Sequence, residues 1–247
     1  MLDPYALRAR LFPAMLVSMP MVLAALCWFP TVAITPIVIA LFTWFGVGVL
    51  LAEFARDLGK RREPALWASW GGSPTVRRLR LRETAANTVA RERWRALVAA
   101  LAPDLLLPTA DEETADPKRA DDTYGVCIAR LRELTRNTTN FPLLFQENIS
   151  YGFRRNLWAM KPAGIFMAVA AMGVAVSSLF VLSQPRLEIV VFAAVIAAFM
   201  LTWSVLRITK TWVKEAAERY ADQLLWSCEQ LVQRVSAAAP TGSRVGF

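Results

Sequence analysis

NFPLLFQENISYGFRRNLWAMKPAG, residues Asn140 to Gly164, decides how the rest of this 247-residue chain is read. A polar segment precedes it and a long uncharged run follows it. It sets five aromatics (Phe141, Phe145, Tyr151, Phe153, Trp158) around Arg154, Arg155 and Lys161. Asn140 to Met160 reads as a helix, capped near Asn140 with Pro142 in its first turn. Lys161-Pro162-Ala163-Gly164 predicts a helix break at a membrane face. The stretch is thus a joint, with Phe153, Trp158, Lys161 and Pro162 as its coupling residues.

Beyond the joint, Pro162 to Pro185 is uncharged and predicts one membrane helix; Ile189 to Leu206 predicts another after a short turn at Gln184–Glu188. At the other end, Leu11 to Ala52 runs 42 residues without a charge. About 20 apolar residues cross a bilayer, so this run predicts two helices, about Phe12 to Phe29 and Val32 to Phe54, turning at Phe29-Pro30-Thr31. Its length also argues against a cleavable leader. The expected fold is all-α: an integral membrane protein with four transmembrane helices in two hairpins, a helical cytosolic insertion and a long C-terminal helix. The expected divisions are 1–54 and 162–206 for the hairpins, 55–161 for the insertion, 207–239 for the C-terminal helix and 240–247 for a disordered tail. Composition agrees: 55% hydrophobic, 19% charged, mean hydropathy +0.36.

Charge placement orients the chain. Between Arg56 and Arg95 stand eleven Lys or Arg against four Asp or Glu, beginning with Arg56, Lys60, Arg61 and Arg62 directly after the second span. The outer turns hold only Arg186, offset by Glu188. The positive-inside rule places both termini and the insertion in the cytoplasm of a bacterial inner membrane.

Within the insertion, Ser73-Pro74 and Asp116-Pro117 are helix starts. Tyr124, Cys127, Ile128, Leu131 and Leu134 form one apolar helix face. RRLRLR (77–82) alternates like a strand but is read as the end of a short helix. Arg77, Arg78, Arg80, Arg82, Arg91, Arg93 and Arg95 make the densest basic patch. Two readings stand: a site for a nucleotide, oligonucleotide or lipid headgroup, because guanidinium groups grip phosphate in pairs, or a solvated face beside anionic lipid. The same pair of readings applies to Tyr151, Arg154 and Arg155. Asp104 to Asp122 carries seven acids and two bases; it reads as a solvated loop or as a partner for the basic segment. Set against the first of these is a hard-cation site on Glu112, Glu113, Asp116, Asp121 and Asp122, whose spacing matches no EF-hand loop. Trp70-Gly71-Gly72-Ser73-Pro74-Thr75 resembles an anion-binding helix start, without the P-loop lysine.

In the C-terminal segment, Val213, Ala217, Tyr220, Leu224, Cys228, Leu231 and Val235 recur close to a heptad, which predicts an oligomer-forming seam. With no proline or glycine from Leu187 to Ala239, the fourth span and this helix could run on unbroken, roughly 75 Å at 1.5 Å per residue. Gly164, Ala168, Ala171, Gly173 and Ala175 predict a close-packing face on the third span.

The chain has no His, which removes the commonest general base and the His-containing triads. Three scattered Cys support neither zinc nor disulfides. No enzyme, cofactor or metal is expected. No charge lies between Leu11 and Ala52, Pro162 and Pro185 or Ile189 and Leu206, which argues against proton-coupled transport. Span hydroxyls (Ser18, Thr35, Thr43, Ser177, Ser178, Thr202, Ser204) either line a pore or bond to their own backbone.

WGGSPT (70–75), LTRNTTNFPLLFQEN (134–148) and YGFRRNLW (151–158), in this two-hairpin layout, resemble the small four-span membrane effectors encoded beside nucleotidyltransferases in bacterial phage-defence operons, including the Hailong type. The resemblance implies a homo-oligomeric channel whose opening harms the cell, controlled by a nucleotide or oligonucleotide. It carries over no site residue. The alternative is a non-conducting scaffold recruiting an operon-encoded cytosolic partner through Thr209 to Ala237.

Overall fold

The computed structural model describes residues 3–29, 34–84 and 87–238, with the side chains of 34–40, 42, 43 and 235–238 outside that description. Every regular element among them is helical. A π-helical turn (Ala6–Leu11) enters α1 (Phe12–Leu26), followed by α2 (Ile34–Ser69), α3 (Pro74–Leu79), α4 (Thr88–Leu101), α5 (Ala110–Ala115), α6 (Pro117–Leu134), α7 (Pro142–Val181), α8 (Leu187–Leu206) and α9 (Lys210–Ala238). Three of these are long and apolar enough to cross a membrane: Ala6–Leu26, Pro142–Val181 and Leu187–Leu206. The predicted turn at Pro30 and Thr31, the start of the second span and the C-terminal tail lie outside the described residues.

The chain forms two compact units. The first comprises Met1–Leu66 and Ile149–Ala216. Its helices pack through small side chains: Ala171 and Ala175 of α7 meet Val190, Ala193 and Ala197 of α8, with Ala24 and Cys27 of the α1 end. Lipid offers no hydrophobic drive for helix pairing, so close approach through alanine supplies the contact instead. A second cluster joins Ala14 and Val17 to Ala55, Leu157, Met160 and Ile208. Four span hydroxyls bond back to their own helices: Ser18 to Ala14 O, Ser177 to Val174 O, Ser178 to Ala175 O and Thr202 to Ala198 O.

The second unit comprises Trp67–Asn148 and Ala217–Phe247. Tyr124, Cys127, Ile128 and Leu131 of α6 form its core with Leu79, Trp94, Val98, Phe141, Leu144, Leu224, Leu225, Cys228 and Leu231. The α6 face is the one its spacing predicts, with Leu134 left exposed.

Three expectations need correction. The break at Lys161-Pro162 is absent, and α7 is continuous to Val181. Pro162 has no N–H for the carbonyl of Trp158, but α7 is held on both sides of it. Arg62 donates to Ala159 O at 2.9 Å and Lys161 reaches across to the end of α8. Conversely, α8 and α9 are separate helices, divided at 207–209 without proline or glycine. Thr209 starts α9 by accepting the Trp212 N–H at 3.2 Å on its hydroxyl. RRLRLR is helical only to Leu79; Arg80 turns extended, with ψ 132°.

Candidate functional site

The basic patch of the second unit folds around a short strap, residues 80–83. Two sets of groups hold it, and a third holds the residue before it. The amides of Leu81 and Arg82 donate to the Glu113 carboxylate at 2.9 and 3.1 Å. Arg91, reaching from α4, donates to the carbonyls of Arg80 and Glu83 at 3.1 and 2.8 Å. Arg95, one turn on, donates to Leu79 O at 2.9 Å, Pro108 O at 2.6 Å and the Tyr124 hydroxyl at 2.7 Å. A segment without helix or sheet must find partners for its backbone groups, and here side chains supply them.

The first four patch arginines are paired within the unit. Arg77 forks onto Glu83 at 3.0 and 3.0 Å, and Arg78 onto Asp222 at 2.7 and 3.2 Å. Arg80 forks onto Asp121 at 2.8 and 2.8 Å. Arg82 bridges Glu113 at 2.9 Å and Asp121 at 2.8 Å. Such paired planar contacts are the strong form of the arginine–carboxylate bond. Of the sequence alternatives for the acidic stretch, Asp121 and Glu113 realise the one in which it partners the basic segment.

Glu113 is the hub. Its side chain is 1% exposed. Burial alone would raise its pKa, but the donors from Leu81, Tyr124 and Arg82 outweigh that and hold the carboxyl below its usual value. Tyr124, which donates to it at 2.7 Å, is pushed up to about 12, by burial first and the glutamate second.

The glycine turn before α3 serves this lattice rather than an anion. Gly71 and Gly72 hold φ of 81° and 126°, conformations that disfavour side chains. The carbonyl of Gly71 accepts from Arg80 at 2.6 Å, and a Cβ on Gly72 would sit 2.4 Å from the same guanidinium. The turn therefore grips a cation.

In the first unit the joint residues build a second network. Arg155 donates to Glu63 at 2.9 Å, and the Tyr151 hydroxyl donates to the same oxygen at 2.5 Å. Arg155 also donates to the Asn156 amide oxygen at 3.3 Å. Asn156 is fully buried and donates to Ala9 O at 2.7 Å. Pro13 explains why that carbonyl is available: it has no N–H to return to the residue four back, and the preceding turn is π-helical. Gly59 permits the approach, since a Cβ there would lie 2.1 Å from the Asn156 oxygen. This node ties α7, α2 and the N-terminal turn together.

Arg154 and Lys161 hold the α8–α9 elbow. Arg154 donates to Trp212 O at 2.8 Å and lies 4.8 Å over the Trp212 ring, which Phe153 meets edge-on. The Lys161 ammonium donates to Val205 O at 3.2 Å and Ile208 O at 3.0 Å, satisfying carbonyls that the helix end leaves open. Trp158 packs beside Leu157 and Met160. The predicted oligomer seam is spent inside the chain: Val213 and Ala217 are buried, Leu224 and Leu231 are core, and Tyr220 packs against that core.

The structure thus brings Arg77, Arg78, Arg80 and Arg82 into one lattice, and Tyr151 and Arg155 into one node with Arg154 a turn away. Sequence reasoning missed Glu63, Asn156 and Asp222, and it reads Arg91 and Arg95 as patch cations where the structure has them donating to backbone carbonyls. Only Pro13, four residues after Ala9, signalled an open carbonyl. Among the described residues no group of His, Cys, Asp or Glu is placed to hold a metal. Comparison with protein-family models, with curated proteins and with solved structures finds no match to this chain.

Proposed function

We propose that this chain is a non-enzymatic bacterial inner-membrane effector: four spans in two hairpins, cytoplasmic termini and polar unit, assembled as a homo-oligomeric channel. The four-span count adds residues 32–54 to the three apolar helices. Orientation rests on the basic residues that flank the spans. Opening is controlled by a nucleotide or oligonucleotide, made by an operon-encoded nucleotidyltransferase, as in the phage-defence effectors the chain resembles.

The observation that carries the reading is the Arg155–Glu63–Tyr151–Asn156 node. A buried ion pair that joins two helices is expensive to assemble and is better suited to specifying one arrangement than to adding stability, and Asn156 beside it adds the N-terminal turn. It supplies a discrete state that a cytosolic signal can bias. The first four patch arginines already hold carboxylates, so an anionic ligand acts there by exchange, phosphate for Asp121 or Glu113, and releases the 80–83 strap. The adaptor reading is the weaker one, because α9 commits Leu224 and Leu231 to its own core. Inducible expression in bacteria together with the operon-encoded nucleotidyltransferase should collapse membrane potential and arrest growth, and Arg154→Ala with Arg155→Ala should change that response. Unchanged potential at full membrane expression would contradict the proposal.

A further inference from the structure

A cavity of about 250 Å3 opens in the first unit between α1, α7, α8 and the first turn of α9. Its walls include Val17, Leu157, Gly164, Trp203, Ile208 and Trp212, and beside the Ser204 hydroxyl and the two indoles they are hydrocarbon. Gly164 makes the room. A Cβ there would lie 3.5 Å from Val17 and 4.0 Å from Ser204, so a methyl fits and a longer side chain enters the cavity. The space exceeds the ~150 Å3 apolar cavity that stays dry and accepts benzene.

Two observations identify the guest. The cavity opens toward the bilayer side of apolar helices: Trp203 is 42% exposed and Phe199, also in its wall, 59%. Its walls hold two tryptophans, and cations stand on or next to the wall residues Ile208 and Trp212. Lys161 sits on the carbonyl of Ile208, Arg154 on that of Trp212, and Arg207 and Lys210 stand exposed on either side of Ile208. An apolar slot beside tryptophans and cations matches one chemistry, a hydrocarbon chain attached to an anionic head at the interface.

We propose that this cavity binds one acyl chain of an anionic phospholipid from the leaflet at the level of Lys161, with the headgroup at Arg207 and Lys210. The guest then touches both sides of the α8–α9 elbow, through Trp203 and Trp212, and favours the arrangement that Lys161 and Arg154 hold. The inference rests on the apolar helices lying in a bilayer and is independent of conduction.

The test reconstitutes the full chain in vesicles of phosphatidylglycerol or phosphatidylcholine doped with the matching phospholipid carrying a mid-chain diazirine. Adducts are mapped by mass spectrometry. Phe166, 70% exposed on the same turn of α7 as Gly164, reports bulk lipid contact. Adducts on buried Leu157 and on Trp212 are expected in phosphatidylglycerol. They should be lost in Gly164→Leu and kept in Gly164→Ala, with Phe166 adducts present throughout. If Gly164→Leu does not insert, which loss of Phe166 labelling would show, Met200→Phe fills the same space from α8. Phe166 labelling without Leu157 labelling in the wild type overturns the site. Leu157 labelling unchanged by the filling variant overturns it as well. Equal labelling from both lipids overturns the anionic headgroup assignment.

Discussion

Arg155 and Glu63 meet at 2.9 Å with side chains 8% and 16% exposed, so one nearly buried ion pair fastens α7 to α2. Removing one partner strands the other. Glu63→Leu or Arg155→Met alone is expected to cost about 3–5 kcal/mol, and the two together to cost less than either single change. A double-mutant cycle on thermal unfolding in detergent measures this. Additive single effects would mean that the pair does not act as a unit.

Glu113 predicts an acid-labile polar unit. Its folded pKa lies below its usual 4.5, so its contribution is complete above 4.5 and is lost as pH falls through the folded value. Glu83, lowered by Arg77, acts in the same direction. Unfolding followed by near-ultraviolet dichroism should show a fall in midpoint below pH 4.5, shallower in Glu113→Gln, which starts lower at neutral pH. Tyr124→Phe removes one donor to the buried carboxylate and should cost about 1–3 kcal/mol.

Two neighbouring glycines should differ. Gly71→Ala meets open space and is strained only by its φ of 81°, whereas Gly72→Ala adds a clash with Arg80 to a φ of 126°. Gly72→Ala should therefore lower the melting midpoint more than Gly71→Ala, and Arg80→Ala should shrink that difference.

How much of this was legible in the sequence follows from which forces are local. The apolar runs and the α6 face announce themselves because burial repeats at the helical period; Asp116 marks a start because it caps within one turn, accepting the Arg119 N–H, and the start after Ser73 is marked by Pro74 at the first helical position. The continuity of α7 through Pro162 was not legible. A proline inside a helix reads as a break, and the contacts that flank this one, such as Arg62 donating to Ala159 O, come from a hundred positions away in sequence. Likewise the 77–82 run reads as a free basic patch until the fold brings Asp121 and Asp222 to it. The heptad on α9 places Leu224, Cys228 and Leu231 in the chain's own core, which periodicity cannot announce, since it shows that a face is covered and not by what.

Lys161 predicts a stiff elbow. Lys161→Met removes donors from Val205 O and Ile208 O, so amides from Thr209 to Val213 should exchange hydrogen faster while those of α8 hold. Lys161→Arg should restore protection. Unchanged exchange in Lys161→Met would show that the elbow is held by packing alone.

Buried thiols should be inert. Cys127 and Cys228 lie in the core of the polar unit, with Cys228 pushed up to about 12 by burial. At pH 8 neither should react with a thiol reagent until the unit unfolds; fast labelling of the native chain would place them elsewhere.

The central claim, a membrane channel opened through its cytosolic unit by a nucleotide or oligonucleotide, is tested most directly by ion flux from vesicles holding the purified chain. Cyclic and linear oligonucleotides and mononucleotides are added to vesicles whose polar units face outward. The account predicts that one of these ligands opens a flux that Arg78→Ala with Arg82→Ala weakens. Vesicles with correctly inserted oligomers that stay closed to every nucleotide and oligonucleotide would contradict it.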